Sequence, residues 1–240
     1  MMNDITDNNQ HTHKQFDTEL EDLREKVLLM GGKVENQLSK AIQALTKADV
    51  ELSDLVVEED NSVNSLELEI DENLSSIIAR RQPIAIDLRT LLAISKITTD
   101  LERIGDESSK IARMTKLIYK SEHLQFPKVT IVKSIGNLAS DMLRQSLDSF
   151  ARLDVKTSFS VLESDYEVNE QFQLIIRKLI TFVLEDPRTI SAALELLTVA
   201  KAFERIGDHS KNISEHVVYL VKGTDVRHTS IDDVRKEIQD

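Results

Sequence analysis

A six-residue string that occurs twice constrains this chain more than any other feature of its sequence. Leu101 begins LERIGD and Phe203 begins FERIGD, so corresponding residues lie 102 positions apart in a chain of 240. A string of this length is not expected twice by chance, and the sequence therefore predicts two copies of one structural unit. Both copies lie in long stretches with an apolar residue every three or four positions, which predicts that they are helical.

The composition favours helices and excludes several functional classes. There are only 6 Gly and 3 Pro, and the net charge of −12 argues against a nucleic-acid binder, which would normally present a basic face. The absence of Cys excludes disulfides and cysteine nucleophiles. The N-terminus has no apolar segment of the kind found in signal peptides, and no apolar run approaches the ~18 residues of a membrane span. We expect a soluble, cytoplasmic protein that meets a membrane only through its partners.

The apolar periodicity predicts six long helices. They cover residues 13–47, 49–82, 86–120, 129–153, 155–184 and 189–221. Long helices joined by short turns form antiparallel bundles, so the predicted fold is all-α, with two tandem three-helix bundles at 13–120 and 128–223. The domain boundary falls in the segment 121–128, which contains Pro127.

Smaller features mark the ends of these elements. Residues 1–12 are polar and predicted to be disordered, and residues 224–240 are predicted to form a short or frayed appendage. Gly223 is expected to end the last long helix. Gly31 and Gly32 interrupt the apolar stripe of the first helix and are expected to bend it.

Each copy of the motif presents two carboxylates four residues apart, which lie on one face of a helix. Residues equidistant from the turn of an antiparallel hairpin lie side by side. The turns are centred on Pro83 and on the bond before Pro187. In each half an Asn then lies across from the Glu of the motif, and an Asp lies across from its Asp. The candidate metal ligands are Glu102, Asp106, Asp60 and Asn64 in the first half, and Glu204, Asp208, Asp165 and Asn169 in the second.

Three carboxylates and an amide oxygen form a hard-oxygen ligand set, and such closely placed anions repel one another unless a cation or protons intervene. A divalent or trivalent metal ion, such as Fe, Zn, Mg, Ca or Mn, would remove this repulsion. The alternative is a solvated acidic face. On a helical wheel Asp106 lies nearly opposite Ile104, so the motif carboxylates can point to water, and Arg103 can partly neutralise them.

The motif glycines, Gly105 and Gly207, occupy helix interiors, where glycine costs about 1 kcal/mol relative to alanine. Each lies in a stripe of small residues that would let a neighbouring helix approach closely. Tight packing without any binding site is an alternative explanation, and the two are compatible.

No catalytic motif is present. The sequence contains no Gly-rich phosphate loop, no HExxH and no G-x-S-x-G, and the repeated motif lacks the Glu-x-x-His pattern of di-iron bundles. Charged residues near the turn of the first hairpin and beside the motifs either solvate the surface or form a docking patch. These candidate docking residues are Arg80, Arg81, Asp87, Arg89, Arg103 and Arg205.

The stretches 78–83, 87–89, 101–106, 204–208 and 221–228 resemble the PhoU family of bacterial phosphate-signalling regulators. The resemblance implies two spectrin-like bundles related by pseudo-twofold symmetry and a homodimer. It also implies metal clusters at the Glu/Asp-x-x-x-Asp motifs in some relatives, although not in every member.

The resemblance further implies a non-enzymatic adaptor that acts with the ATPase subunit of a phosphate ABC importer and with a sensor histidine kinase. Such proteins keep the phosphate-starvation response off when phosphate is plentiful, and they restrain uptake. The alternatives that the residues leave open are a metal-dependent helical enzyme and a metal-storage or purely structural bundle.

Overall fold

The computed structural model describes the backbone of residues 3–120 and 129–239, and within these ranges it contains helices and no strands. The α-helices are α1 Asn3–Lys47, α2 Val50–Arg81, α3 Ala85–Lys120, α4 Thr130–Arg152, α5 Val155–Glu185, α6 Ile190–Lys222 and α7 Ile231–Gln239. A 3-10 turn, Pro187–Thr189, precedes α6. The all-α prediction is confirmed. None of the helices in the described ranges combines the length and apolar character that crossing a membrane requires.

The turns that open α2 and α5 are built alike. Ala48 and Leu153 both adopt left-handed backbone conformations, with φ of 58° and 52°. Asp49 and Asp154 follow them, and each side chain accepts a hydrogen bond from a backbone N–H of the first helical turn. These caps satisfy N–H groups that a helix start leaves without partners. The two halves therefore share the conformation of this turn and its capping aspartate as well as the motif.

The buried residues of both halves form one continuous core, with α3 and α6 packed against each other at its centre. In α1 the predicted apolar stripe faces this core, and the helix continues through Gly31 and Gly32 without a break. The fully buried members of the stripe are Leu23, Val27, Met30, Val34, Leu38 and Leu45. The two bundles are therefore parts of one packed body.

The terminal segments differ from their predictions. The prediction of disorder up to residue 12 is wrong, because α1 begins at Asn3. A helix already formed extends at little cost through polar residues that include no Gly or Pro. The tail forms a short appendage that contains α7, as one of the two predicted alternatives has it, but it is not frayed, since Val226 and Val234 are buried against α5 and α6. Gly223, with φ of 81°, ends α6 as predicted, and the predicted linker at 121–128 lies outside the described residues.

Candidate functional site

The motif glycines allow side chains of neighbouring helices to reach α3 and α6. A Cβ atom on Gly105 would lie 3.3 Å from Asp60 Oδ1 of α2 and 3.3 Å from Gln37 Oε1 of α1. The equivalent atom on Gly207 would lie 3.6 Å from Met142 Sδ of α4. The interpretation of these glycines as close-packing residues is therefore confirmed, and in the first half the space they leave is occupied by oxygen atoms.

We define the first cluster as the carboxylates Asp60, Glu67, Glu102 and Asp106, from α2 and α3. Burial raises the pKa of Glu102, and the charges of Asp106, Glu67 and, more weakly, Asp60 raise it further. Burial also raises the pKa of Glu67, with nearby carboxylates, Asp106 among them, adding to the effect. The four groups therefore interact electrostatically, with Asp60 beside the motif as the turn register predicts. Sequence reasoning missed Glu67, although it lies one helical turn beyond Asn64.

Two amide oxygens accompany the first cluster without a hydrogen-bond donor. Gln37 is 1 % exposed, and its Nε2 donates to Asp60 Oδ1 at 2.9 Å and to Ser109 Oγ at 3.2 Å. Its Oε1, and Oδ1 of Asn64, are buried and have no donor among the residues that the structure describes. Buried acceptors are nearly always satisfied in native proteins, so each of these two atoms requires a water molecule, a cation or another group that the described residues do not supply. In the second half Asn169 instead donates to a backbone carbonyl of its own helix.

The motif carboxylates do not form a solvated acidic face. The side chains of Glu102 and Glu204 are only 17 % and 11 % exposed. The helical wheel misleads here because α3 packs against α1, α2 and α6, and α6 packs against α3, α4 and α5, so that little of either helix faces water. Half-buried carboxylates of this kind need compensation by a cation, a proton or hydrogen bonds.

We define the second cluster as Asp165, Glu204 and Asp208, from α5 and α6. Lys211 Nζ lies 2.9 Å from Asp165 Oδ2, and Lys201 forms an ion pair with Glu204. Although burial alone would lower the pKa of Lys211, its hydrogen bond to Asp165 holds that pKa above its usual value. Asp208 has no such partner within the described ranges. Burial, followed by the charges of Glu204 and Asp165, raises its pKa to about 6.

The two clusters differ at positions that the repeat makes equivalent. Residues of α4 and α5 follow their counterparts by 105 positions, and those of α6 by 102. The alignment is supported by packing, since Val63 and Val168 occupy the same place against the two motif glycines. The differing pairs are Gln37 and Met142, Glu67 and Phe172, Thr99 and Lys201, and Ser109 and Lys211. Sequence reasoning missed them because it compared only the residues that the two copies share.

The ligand chemistry of the first cluster fits a hard cation. Carboxylate and amide oxygens are the ligands that Mg²⁺, Ca²⁺ and Mn²⁺ prefer, and this cluster offers neither thiolate nor imidazole. Within the described ranges no three acidic or histidine side chains already converge closely enough to hold a metal ion. A bound cation would therefore have to draw the carboxylates of this cluster closer together.

A buried carboxylate that was not predicted joins the two halves. Asp100 of α3 accepts a hydrogen bond of 3.1 Å from Asn212 Nδ2, and its Oδ1 lies 2.8 Å from His209 Nδ1. His216 Nε2 lies 3.5 Å from its other oxygen. Although burial alone would raise the pKa of Asp100, these three partners on α6 hold it below its usual value. The sequence feature that could have identified Asp100 is its position, as a charged residue, on the apolar face of its helix next to Leu101.

The candidate docking residues differ in solvent exposure and in the ion pairs that they form. Arg81 Nη2 lies 2.9 Å from Glu19 Oε1, and a second bond of 3.1 Å completes a bidentate contact that anchors the end of α2 to α1. Arg80 and Arg103 have side chains more than half exposed, at 56 % and 54 %. The other candidates are at least partly covered: Asp87, Arg89 and Arg205. Arg80 and Arg103 are therefore the members of the set best placed to contact a partner.

Glu215 on α6 should make stability depend on pH. It is buried without a hydrogen-bond or ion-pair partner among the described residues, and burial raises its pKa to about 7, opposed by Lys211 and Arg227. Because the folded state binds this proton more tightly than the unfolded chain, the free energy of unfolding falls as pH rises from about 4 to 7.

We expect Glu215→Gln to raise the free energy of unfolding by about 1–3 kcal/mol at pH 8 and to leave it unchanged near pH 4, since one pKa unit is worth about 1.4 kcal/mol. Urea unfolding of both proteins at several pH values measures this. A variant that is less stable than the parent at pH 8 would show that the Glu215 carboxylate has a stabilising partner.

Comparison with known proteins identifies the family. Residues 27–115 and 132–217 each match the PhoU domain. The chain is 44 % identical to a phosphate-specific transport system accessory protein PhoU homolog of Pseudomonas aeruginosa, over 95 % of this chain and 94 % of the relative. It is 42 % identical to the phosphate-specific transport system accessory protein PhoU of Escherichia coli, over 95 % of this chain and 94 % of that protein.

Solved structures agree with the sequence matches. The crystal structure of PhoU from Pseudomonas aeruginosa superposes with a TM-score of 0.84, covering 87 % of this chain and 100 % of that one at 44 % identity. That of the phosphate transport system regulatory protein PhoU from Streptococcus pneumoniae gives a TM-score of 0.80, covering 88 % and 99 % of the two chains at 28 % identity. The domain matches in both halves and the identity over nearly the whole length show that the chain belongs to the PhoU family.

Proposed function

We propose that this chain is a non-enzymatic cytoplasmic regulator of phosphate homeostasis. The observation that carries the proposal is the match over nearly its whole length to proteins named as accessory components of phosphate-specific transport. Family membership supports a role in the regulation of phosphate transport. The finer proposal is an adaptor, active as a homodimer, that contacts the ATPase subunit of the phosphate importer and the sensor histidine kinase. Through them it represses the starvation response and restrains uptake.

The hairpin tips support an adaptor role. At the first tip Ile84 and Ile86 are 77 % and 65 % exposed, close in sequence to the exposed Arg80. At the second tip Leu184 is 78 % exposed, and Ile190 follows it across the turn at 50 %. Exposed apolar groups clustered at one end of an element are typical of protein interaction sites. We propose these tips as the surfaces that meet the importer and the kinase.

A bound metal ion would act structurally in this proposal. A cation shared by Asp60, Glu102 and Asp106 would join α2 to α3 and would satisfy Gln37 Oε1, which is buried beside Gly105 without a donor among the described residues. The hairpin would then be held rigidly behind its docking tip. The ion would supply charge neutralisation and cross-linking of the hairpin, with no catalytic step.

Complementation of a strain that lacks its own PhoU tests the proposed function. We expect the chain to restore repression of a phosphate-starvation reporter, such as alkaline phosphatase, in high phosphate. The double variant Leu184→Asp/Ile190→Asp should fail to restore it while keeping its helical content. Leu68→Asp is the matched control, because Leu68 is equally exposed, at 70 %, but lies in the middle of α2. Full expression of the wild-type chain without repression would contradict the proposal.

A further inference from the structure

We propose that the two clusters are neutralised by different means: the first binds one hard divalent cation, whereas the second is neutralised by the chain's own Lys201 and Lys211. The chain would then hold one cation, in its first half. This inference rests on the metal binding proposed above and adds the stoichiometry and the residues that set it.

The second cluster already has cations within contact distance. Lys211 contacts Asp165 at 2.9 Å, and Lys201 pairs with Glu204. Lys201 Nζ also lies 5.3 Å from the ring centroid of Phe172, so its position is fixed by a second contact. A divalent ion entering this cluster would have to displace both ammonium groups, which lowers its affinity.

The first cluster lacks these ammonium groups and carries more negative charge. Thr99 and Ser109 occupy the positions of the two lysines, and Glu67 occupies the position of Phe172. The nearest cationic contact recorded for the cluster is Arg103, whose exposed guanidinium lies 3.4 Å from Glu102. Because like charges repel and only one exposed arginine offsets four carboxylates, a bound cation is favoured here.

The arginine of the second motif serves another purpose. Arg205, the counterpart of Arg103, lies 2.7 Å from Glu107 of α3 and so links the two halves. Because Arg205 pairs with Glu107, it does not neutralise the second cluster. Lys201 and Lys211 are the cations that pair with the carboxylates of that cluster.

A second, independent observation points to a ligand in the first cluster alone. Gln37 is 1 % exposed, and its Oε1 lies beside Gly105 with no donor among the described residues. A cation would satisfy this oxygen together with the carboxylates. The second half has Met142 at the same place, and a thioether sulfur can remain buried without a partner.

Manganese titration of the full chain tests the inference. By isothermal titration calorimetry, with free Mn²⁺ followed by electron paramagnetic resonance, we expect one ion per wild-type chain. Asp60→Asn/Asp106→Asn should weaken that site at least about tenfold, and Asp165→Asn/Asp208→Asn should leave it unchanged.

The decisive variant is Lys201→Thr/Lys211→Ser, which copies the first-half residues into the second half and should create a second Mn²⁺ site. Lys178→Thr/Lys222→Ser, which removes two exposed lysines from the same half, is the control and should still bind one ion. Circular dichroism checks that each variant folds, and Lys201→Gln/Lys211→Gln replaces the decisive variant if it does not.

The possible outcomes separate this inference from the metal-binding proposal on which it rests. Two equivalent ions in the wild-type chain would overturn the inference and leave metal binding intact. Absence of any ion would overturn metal binding itself. One ion in both the wild-type chain and the lysine variants would show that the lysines do not exclude a cation from the second cluster.

Discussion

Replacing Asp100 by alanine should lower the free energy of unfolding by about 3–5 kcal/mol, the usual loss when one partner of a buried charged network is removed. Asp100 is the acceptor that His209, Asn212 and His216 share across the boundary between the halves. Its loss leaves their polar groups buried without an acceptor at the centre of the common core. Because its pKa is held below the usual value, the stabilisation should be complete at neutral pH and lost as pH falls through the acidic range.

Guanidinium chloride unfolding at pH 7, followed by circular dichroism, measures this loss. Asp148→Ala is the control, since Asp148 is an exposed carboxylate within α4 and should change stability by no more than about 0.5 kcal/mol. Asp100→Asn keeps an acceptor of the same shape and should lose less than the alanine variant. A cost below about 1 kcal/mol for Asp100→Ala would mean that the two halves are held together almost entirely by apolar packing.

Gly105→Leu should destabilise the fold by about 2–4 kcal/mol and abolish cation binding in the first half. The new side chain would collide with Asp60 Oδ1 and Gln37 Oε1, which lie 3.3 Å from the position of its Cβ, and with Val63 just beyond. Overpacking of a core costs roughly 1–3 kcal/mol, and disruption of the buried Gln37–Asp60 hydrogen bond adds a similar amount. Leucine has a better helix propensity than glycine, but this stabilises the helix by only about 1 kcal/mol and offsets only part of the loss.

The matched control for Gly105→Leu is Gly32→Leu. A Cβ on Gly32 meets no atom within 4 Å, so this substitution keeps the propensity gain without the collision. We expect it to be neutral or up to about 1 kcal/mol more stable. If thermal and chemical unfolding gave the two variants equal stability, the close approach of α1 and α2 to the motif would not be what requires glycine.

The fold was largely predictable because long apolar stripes identify helices and because Asp49, Pro83 and Asp186 mark the turns. The hairpin register placed Asp60 near the motif, since in an antiparallel pair the distance from the turn decides which residues meet. Glu67 and Gln37 were not found, because their roles depend on how closely the helices pack at Gly105. The lysines that pair with the second cluster were missed because Lys201 and Lys211 lie outside the repeated string.

Two other failures have different causes. The position of Asp100 on the apolar face of its helix does not reveal its partners, because only the packing of α3 on α6 brings His209 to it. The tail after Gly223 has too few apolar residues to show a period, although Val226 and Val234 are enough to hold it on α5 and α6 once those helices are present. In both cases the information lies in contacts between distant segments.

A single cation site, as proposed above, would give the two halves of the doubled fold different functions. An ion that binds only the first half can alter the rigidity of one hairpin tip while the other stays fixed by its own lysines. A regulator that contacts two different partners would benefit from two tips with unequal dependence on ions. Equal metal binding by both halves would remove this difference between the tips.

The most direct test of the account is a crystal structure of the full chain grown with Mn²⁺, with an anomalous difference map calculated at a wavelength where manganese scatters strongly. We expect one strong peak between Asp60, Glu102 and Asp106, with Gln37 turned toward it, and no peak near Glu204, where Lys201 and Lys211 keep their ion pairs. Peaks of equal height in both halves, or no peak beside Glu102, would contradict it.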